Sequence, residues 1–95
     1  STEQQLMVFR IVQEQTNNII KHSGATEATI SLQQKEGNAN LVITDNGKGF
    51  DKREQKKKGL GFVNMFNRID AYNGKMEVIS APGKGCRIEL NFPCE

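Results

Sequence analysis

Leu41-Val42-Ile43-Thr44-Asp45-Asn46-Gly47-Lys48-Gly49-Phe50 is the segment from which the rest of the chain can be placed. Its first four residues form an apolar run that reads as a buried strand. The next residues put a carboxylate at the strand's end and two glycines where the chain leaves the sheet. A carboxylate there can accept a hydrogen bond from an exocyclic amine, and glycines, lacking Cβ, let a flat ligand lie against bare backbone. An adenine has that shape and that amine. The plainer alternative is a turn in which Asp45 and Asn46 bond their own backbone, which Asp-Asn-Gly by itself favours.

Upstream, Ala28, Ile30 and Leu32 alternate with Thr29, Ser31 and Gln33 and describe a half-buried strand. Lys35-Glu36-Gly37-Asn38 then turns the chain back into the Leu41 to Thr44 run, so an antiparallel hairpin aims Asp45. Farther upstream, Thr2 and Gln5 resemble a capping box, and an amphipathic helix is expected from about Glu3 to Lys21, stopped at Ser23-Gly24. At about 100° per residue, Phe9, Val12, Thr16, Ile19 and Ile20 gather on the side expected to pack on a sheet. Glu14, Asn18, Lys21 and His22, spaced i, i+4, i+7 and i+8, gather on nearly the opposite side. A solvated face is the ordinary outcome for a polar stripe. One acid, one amide, one cation and one imidazole in a row nonetheless suit a Mg-phosphate group better than they suit solvent, where Glu and Lys pairs dominate.

Downstream, residues 51–58 (DKREQKKK) form a charged run without hydrophobic anchors, read as a mobile surface loop and compatible with a lid over phosphates. Gly59-Leu60-Gly61 opens a second helix with Phe62, Met65, Phe66, Ile69 and Tyr72 at core spacing and Gly74 as its stop. Glycines just before a helix N-terminus, where backbone N–H groups are unpaired, make an anion cradle, although a single GxG is weak support. Met76, Val78 and Ser80 then alternate, Pro82-Gly83-Lys84-Gly85 turns, and Cys86, Ile88, Leu90 and Phe92 alternate with Arg87, Glu89 and Asn91 as a second hairpin. The fold class this order implies is α+β: a two-layer α/β sandwich with a mixed, mostly antiparallel sheet and helices on one face.

At 95 residues the chain is one domain, large enough for a two-layer core. No apolar run approaches the roughly 20 residues of a membrane helix. A net charge of +2 is too mild to imply nucleic acid, while an anionic small ligand would tolerate it. Cys86 and Cys94 flank a single strand without CxxC spacing and read as free thiols in a reducing compartment. No signal peptide opens the chain, and Ser1 reads as a cut end rather than a natural start.

Taken in order, these segments resemble the ATP-binding catalytic domain of sensor histidine kinases, in the superfamily that also holds gyrase, the heat-shock chaperone ATPase and the MutL mismatch-repair ATPases. Phe9-Arg10-Ile11-Val12-Gln13-Glu14-Gln15-Thr16-Asn17-Asn18-Ile19-Ile20-Lys21-His22 looks like the N box of the nitrate-sensor-like branch. Asp45-Asn46-Gly47-Lys48-Gly49-Phe50 is similar to the first glycine box, Gly59-Leu60-Gly61-Phe62-Val63-Asn64-Met65 to the second, and Gly83-Lys84-Gly85-Cys86 to the last. The resemblance covers nearly the whole chain and implies the Bergerat-type ATP-binding fold.

By that resemblance, Asn18 is the Mg²⁺ ligand and Glu14 the residue that orients a metal water or assists deprotonation. Lys21 neutralises phosphate and His22 sits near the base or ribose. Asp45 accepts the adenine amine, Gly47 and Gly49 allow close approach, and Gly59, Leu60 and Gly61 wrap the phosphates. Mg-ATP is then held with its γ-phosphate exposed to a histidine on another domain of the same parent, and a response regulator acts downstream. The implied location is the cytoplasm, with no direct membrane contact and no nucleic-acid partner. Two departures stand out. Cys86 occupies a position where relatives commonly carry threonine, a better partner for the adenine-side water. The one histidine, His22, lies inside the N box, so the phosphoacceptor and dimerisation region is outside this chain, as is the edge strand that usually precedes the N box. An anti-sigma-type serine kinase of the same fold is the first alternative. A nucleotide-binding scaffold without catalysis is the second, and it fits poorly with Glu14, Asn18 and Asp45 all present.

Overall fold

The computed structural model describes residues 2–49 and 62–94, apart from the side chain of His22. Helix α1 (Thr2–Asn18) runs on into a π-helical turn, Ile19–Ser23, closed by Gly24 in the left-handed conformation. Strands β1 (Ala28–Lys35) and β2 (Asn38–Asp45), helix α2 (Phe62–Asp70) and strands β3 (Lys75–Ser80) and β4 (Cys86–Pro93) follow. The four strands form one sheet of order β1-β2-β4-β3, every pairing antiparallel, and both helices pack on one of its faces. This is the expected α+β two-layer sandwich.

Local sequence accounts for most of these elements. Between β1 and β2 the turn residues Glu36 (φ 54°) and Gly37 (φ 81°) both take positive φ, the backbone of a two-residue hairpin whose twist matches its strands. Period-2 alternation then sends Ala39, Leu41 and Ile43 of β2 to one face, directly opposite Phe92, Leu90 and Ile88 of β4. Met7 and Ile11 of α1 and Phe62, Met65 and Ile69 of α2 close over that double row to make the core. The reverse face is polar. There the Asn40 amide donates to Glu89 and Asn91, and Arg87 pairs with Glu89 at 3.1 Å. The Asn40 bond, then the Arg87 guanidinium, hold the Glu89 carboxyl below the usual carboxylate range.

Two expectations are corrected. The packed face of α1 is formed by Met7, Ile11 and Gln15, whereas Phe9 is 61% exposed and Ile20 is 74% exposed. Val12 and Ile19 do touch the core, so the expected stripe was rotated rather than wholly misplaced. Apolar residues surround much of this helix, and the π turn breaks the 3.6-residue phase just before Ile19 and Ile20. The second correction concerns β1, which is exposed along its whole length, not half-buried. Ile30 (53% exposed) and Leu32 (50%) share the core face with Ile43 and Leu41, but β1 is the sheet edge and the helices do not cover it. In α2 the stripe holds at Phe62, Met65 and Ile69, and Tyr72 in the turn that follows also packs on the core, while Phe66 is exposed. The helix is stopped by Asn73 in the left-handed conformation (φ 60°), followed by Gly74, whose N–H bonds the Ile69 carbonyl at 3.0 Å.

Candidate nucleotide-binding site

Three chain segments meet where α1 ends. The Ser23 carbonyl, at the end of the π turn, accepts the Lys48 N–H at 2.8 Å, which ties the helix end to the loop leaving β2. Asn46 fastens the same loop from the other side. Its Oδ1 accepts the N–H groups of Thr26 and Glu27 at 3.0 and 2.9 Å, and its Nδ2 donates to the Thr26 hydroxyl. The third segment is the β3–β4 turn, where the Gly83 N–H bonds the Lys48 carbonyl and Gly85 lies against the backbone of Asp45. Glycine is required at this junction by the protein itself. A Cβ on Gly47 would stand 2.5 Å from the Ser23 carbonyl, and one on Gly49 (φ 64°) would collide with the Ala81 carbonyl.

A polar row ends the apolar core at this junction. Asp45 continues the inward series Ala39, Leu41, Ile43 and pairs across the sheet with Cys86, which in turn pairs with Ser80 of β3. Asp45 Oδ1 accepts the Gly47 N–H at 2.8 Å, so the turn bond expected of an Asp-Asn-Gly segment is made, and it fixes the carboxylate's direction. Burial, reinforced by the Asp45 charge, pushes the Cys86 thiol from an ordinary 9.0 up to about 11, while bonds from Ser80 and Gln15 pull the other way. Cys86 is therefore a neutral thiol at neutral pH. Gln15 lies over this row from α1. It is 2% exposed and is the buried polar side chain among the described residues. Its Nε2 reaches Cys86 Sγ at 4.0 Å and its Oε1 accepts Asn18 Nδ2 at 3.2 Å.

The structure thus brings together Asp45, Cys86 and Asn18, linked through Gln15, with Gly47 and Gly49 in the adjoining loop. Glu14 is half-buried one helical turn before Asn18. Both lie beside the packed stripe of α1 rather than opposite it, since Asn18 follows Ile11 and Gln15 at i+7 and i+3. Lys21 is exposed on the π turn, which also carries the His22 backbone. Gly59, Leu60, Gly61 and the charged run 51–58 lie outside the described residues.

A family description, Histidine kinase-, DNA gyrase B-, and HSP90-like ATPase, matches residues 3–95. The chain belongs to this family. Among curated relatives it is 41% identical over 86 residues to the sensor histidine kinase LiaS of Bacillus subtilis (strain 168), covering 90% of this chain and 24% of that one. It is 37% identical to the sensor protein VraS of Staphylococcus aureus (strain COL), over 90% of this chain and 25% of that one. Each match therefore spans about a quarter of the relative's length. Among solved structures, Acinetobacter baumannii histidine kinase AdeS superposes with a TM-score of 0.77 at 21% identity, over 94% of this chain and 46% of that one, a likeness of fold.

The donor chemistry of this ATPase-family domain fits Mg²⁺. Among the described residues no three His, Cys, Asp or Glu side chains gather into a cage. Glu14 and Asn18 instead offer one carboxylate and one carboxamide on adjacent turns, the sparse hard-oxygen set that suits an ion which keeps its waters and takes further ligands from phosphates. Sequence reasoning assigns Gln15 no separate role, and Asn46 only a turn bond to its own backbone, whereas Asn46 in fact holds Thr26 and Glu27. Gln15 was detectable as the residue four after Ile11 on the Met7–Ile11 stripe, and Asn46 as an Asx residue placed to cap the segment after the helix.

Proposed function

We propose that the domain binds Mg-ATP and supplies its γ-phosphoryl group to a histidine presented by a separate dimerisation domain of the same parent protein, the first step of a two-component relay that ends on a response regulator. The observation that carries this reading is the convergence of Asp45, at the end of β2, and Asn18, at the end of α1, on one junction spanned by the Gln15 and Cys86 side chains. Relatives named as histidine kinases, LiaS and the DegS of Brevibacillus brevis, support it, and support it over a serine kinase.

In this reading the Asp45 carboxylate, already held by the Gly47 N–H, accepts the adenine amine, and the Cys86 thiol lines the same end of the pocket. Asn18 Oδ1 would hold the metal, and Glu14 would orient a water beside it or take a proton. Lys21 and His22 lie toward the phosphates and sugar, and Gly59, Leu60 and Gly61 wrap the phosphates. The chemistry a bound Mg²⁺ would supply is positive charge that offsets phosphate charge during phosphoryl transfer. The domain works in the cytoplasm.

The test is phosphotransfer to a separately supplied histidine-bearing dimerisation domain, with nucleotide binding measured in parallel. Asn18→Ala should abolish transfer and most of the Mg-dependent part of binding, whereas Glu14→Gln should keep binding and lose turnover, the pattern of an interaction made mainly in the transition state. Unimpaired transfer in both variants would leave Glu14 and Asn18 without a part in the reaction. Loss of transfer in both with unchanged binding would move the metal role away from Asn18.

A further inference from the structure

We infer that Gln15 is a positioning residue for metal binding, turning the Asn18 carboxamide so that its oxygen rather than its nitrogen faces the ion. The inference rests on Asn18 being the Mg²⁺ ligand.

A carboxamide presents two ends of opposite character, an acceptor oxygen and a donor NH₂, and only the oxygen can ligate a cation. Their orientation is set by neighbours, because rotation by half a turn exchanges the ends at almost no steric cost. Gln15 contacts Asn18 directly: its Oε1 accepts Asn18 Nδ2 at 3.2 Å, one turn back on the same helix. That acceptor favours the Asn18 orientation with Nδ2 held against α1, because the flipped amide would set two oxygens against each other.

Gln15 is itself oriented from the sheet. Buried among core residues, it has no water to satisfy its amide, so its partners must be protein groups. Its Nε2 meets Cys86 Sγ at 4.0 Å, and that bond leaves Oε1 for Asn18. Cys86 is paired with Asp45 across β2 and β4. The chain Asp45, Cys86, Gln15, Asn18 therefore connects the base-reading end of the site to its metal end, and Gln15 is the link that spans helix and sheet. An apolar residue of the same length at position 15 would fill the space and leave the Asn18 amide without this restraint.

Gln15→Met keeps the length and removes both bonds, so the 95-residue chain can be compared with this variant and with Asn18→Ala for two quantities: ADP affinity in EDTA, and Mg²⁺ affinity of the ADP-bound chain. The expected result is that Gln15→Met leaves ADP affinity in EDTA within about twofold while Mg²⁺ affinity falls roughly 10–100-fold. Unchanged Mg²⁺ affinity in Gln15→Met, with loss in Asn18→Ala, overturns the role of Gln15 and leaves Asn18 as ligand. Unchanged Mg²⁺ affinity in Asn18→Ala overturns the ligand reading beneath it. An equal fall of both quantities in Gln15→Met makes its role merely structural and overturns the inference. If Gln15→Met does not fold, the parent still decides. The Asn18 side-chain NH₂ protons, observed by NMR with asparagine-selective ¹⁵N labelling, should exchange with solvent more slowly than those of the exposed Asn17 and Asn64. Equal exchange overturns the inference.

Discussion

Asp45 is tied by one carboxylate oxygen to the Gly47 N–H, and this bond determines what a conservative change would do. In Asp45→Asn the amide oxygen takes over the Gly47 bond, which keeps the turn and points the NH₂ group at the ligand. Two donors then face each other where adenine offers its amine, so ADP binding should weaken by about 1–3 kcal/mol while folding survives. Calorimetric titration of the two proteins checks this, and equal affinities would reduce Asp45 to a turn residue. Cys86 gives a pH prediction at the same scale. Its folded-state value, about 11, lies above the ordinary 9.0, so its contribution to stability is complete below pH 9 and is lost as the pH rises through 11. Denaturant midpoints should fall more steeply over that window in the parent than in Cys86→Ala. Parallel curves would show that burial and Asp45 do not perturb the thiol.

Helix α1 shows what the sequence could and could not convey about an element. Its existence, its approximate limits and its stop at Gly24 follow from apolar spacing and left-handed-glycine chemistry, which are local, whereas Thr2, expected as the cap, already lies within the helix. Its rotational phase does not. Leu6, Met7, Val8, Phe9, Ile11 and Val12 place apolar groups around much of the circumference, and a buried glutamine interrupts the true stripe. The phase is directly testable. Ile11→Ala should cost about 2–5 kcal/mol of unfolding free energy, as for a fully buried aliphatic side chain, and Phe9→Ala within about 1 kcal/mol. Urea unfolding measures both, and a larger loss at Phe9 would restore the phase expected from sequence. The same reasoning explains β1, whose alternation and hairpin turn were legible while its exposure was not. Exposure of an edge strand depends on how far the helices reach across the sheet, and no local pattern records that.

On the scale of the whole molecule, the decisive contact joins the two hairpins. Turn chemistry specifies β1 with β2 and β3 with β4, but the β2–β4 pairing that sets Asp45 beside Cys86 links residues 41 positions apart in sequence and follows from burying both apolar rows under one pair of helices. The boxes were readable one by one, but the approach of Asn18, Asp45 and Cys86 to one junction depends on that pairing together with the packing of Gln15 onto β4. In the proposed function one adenine nucleotide occupies this junction, touching β2 and α1 at once. A ¹⁵N NMR titration of the chain with Mg-ADP tests it most directly. Shifts should concentrate at Asp45 to Gly49, Cys86, Gln15 and Asn18, all saturating with one dissociation constant in the range of roughly 1 μM to 1 mM. No shifts at several times the upper limit, or separate constants for the β2 and α1 ends, would contradict it.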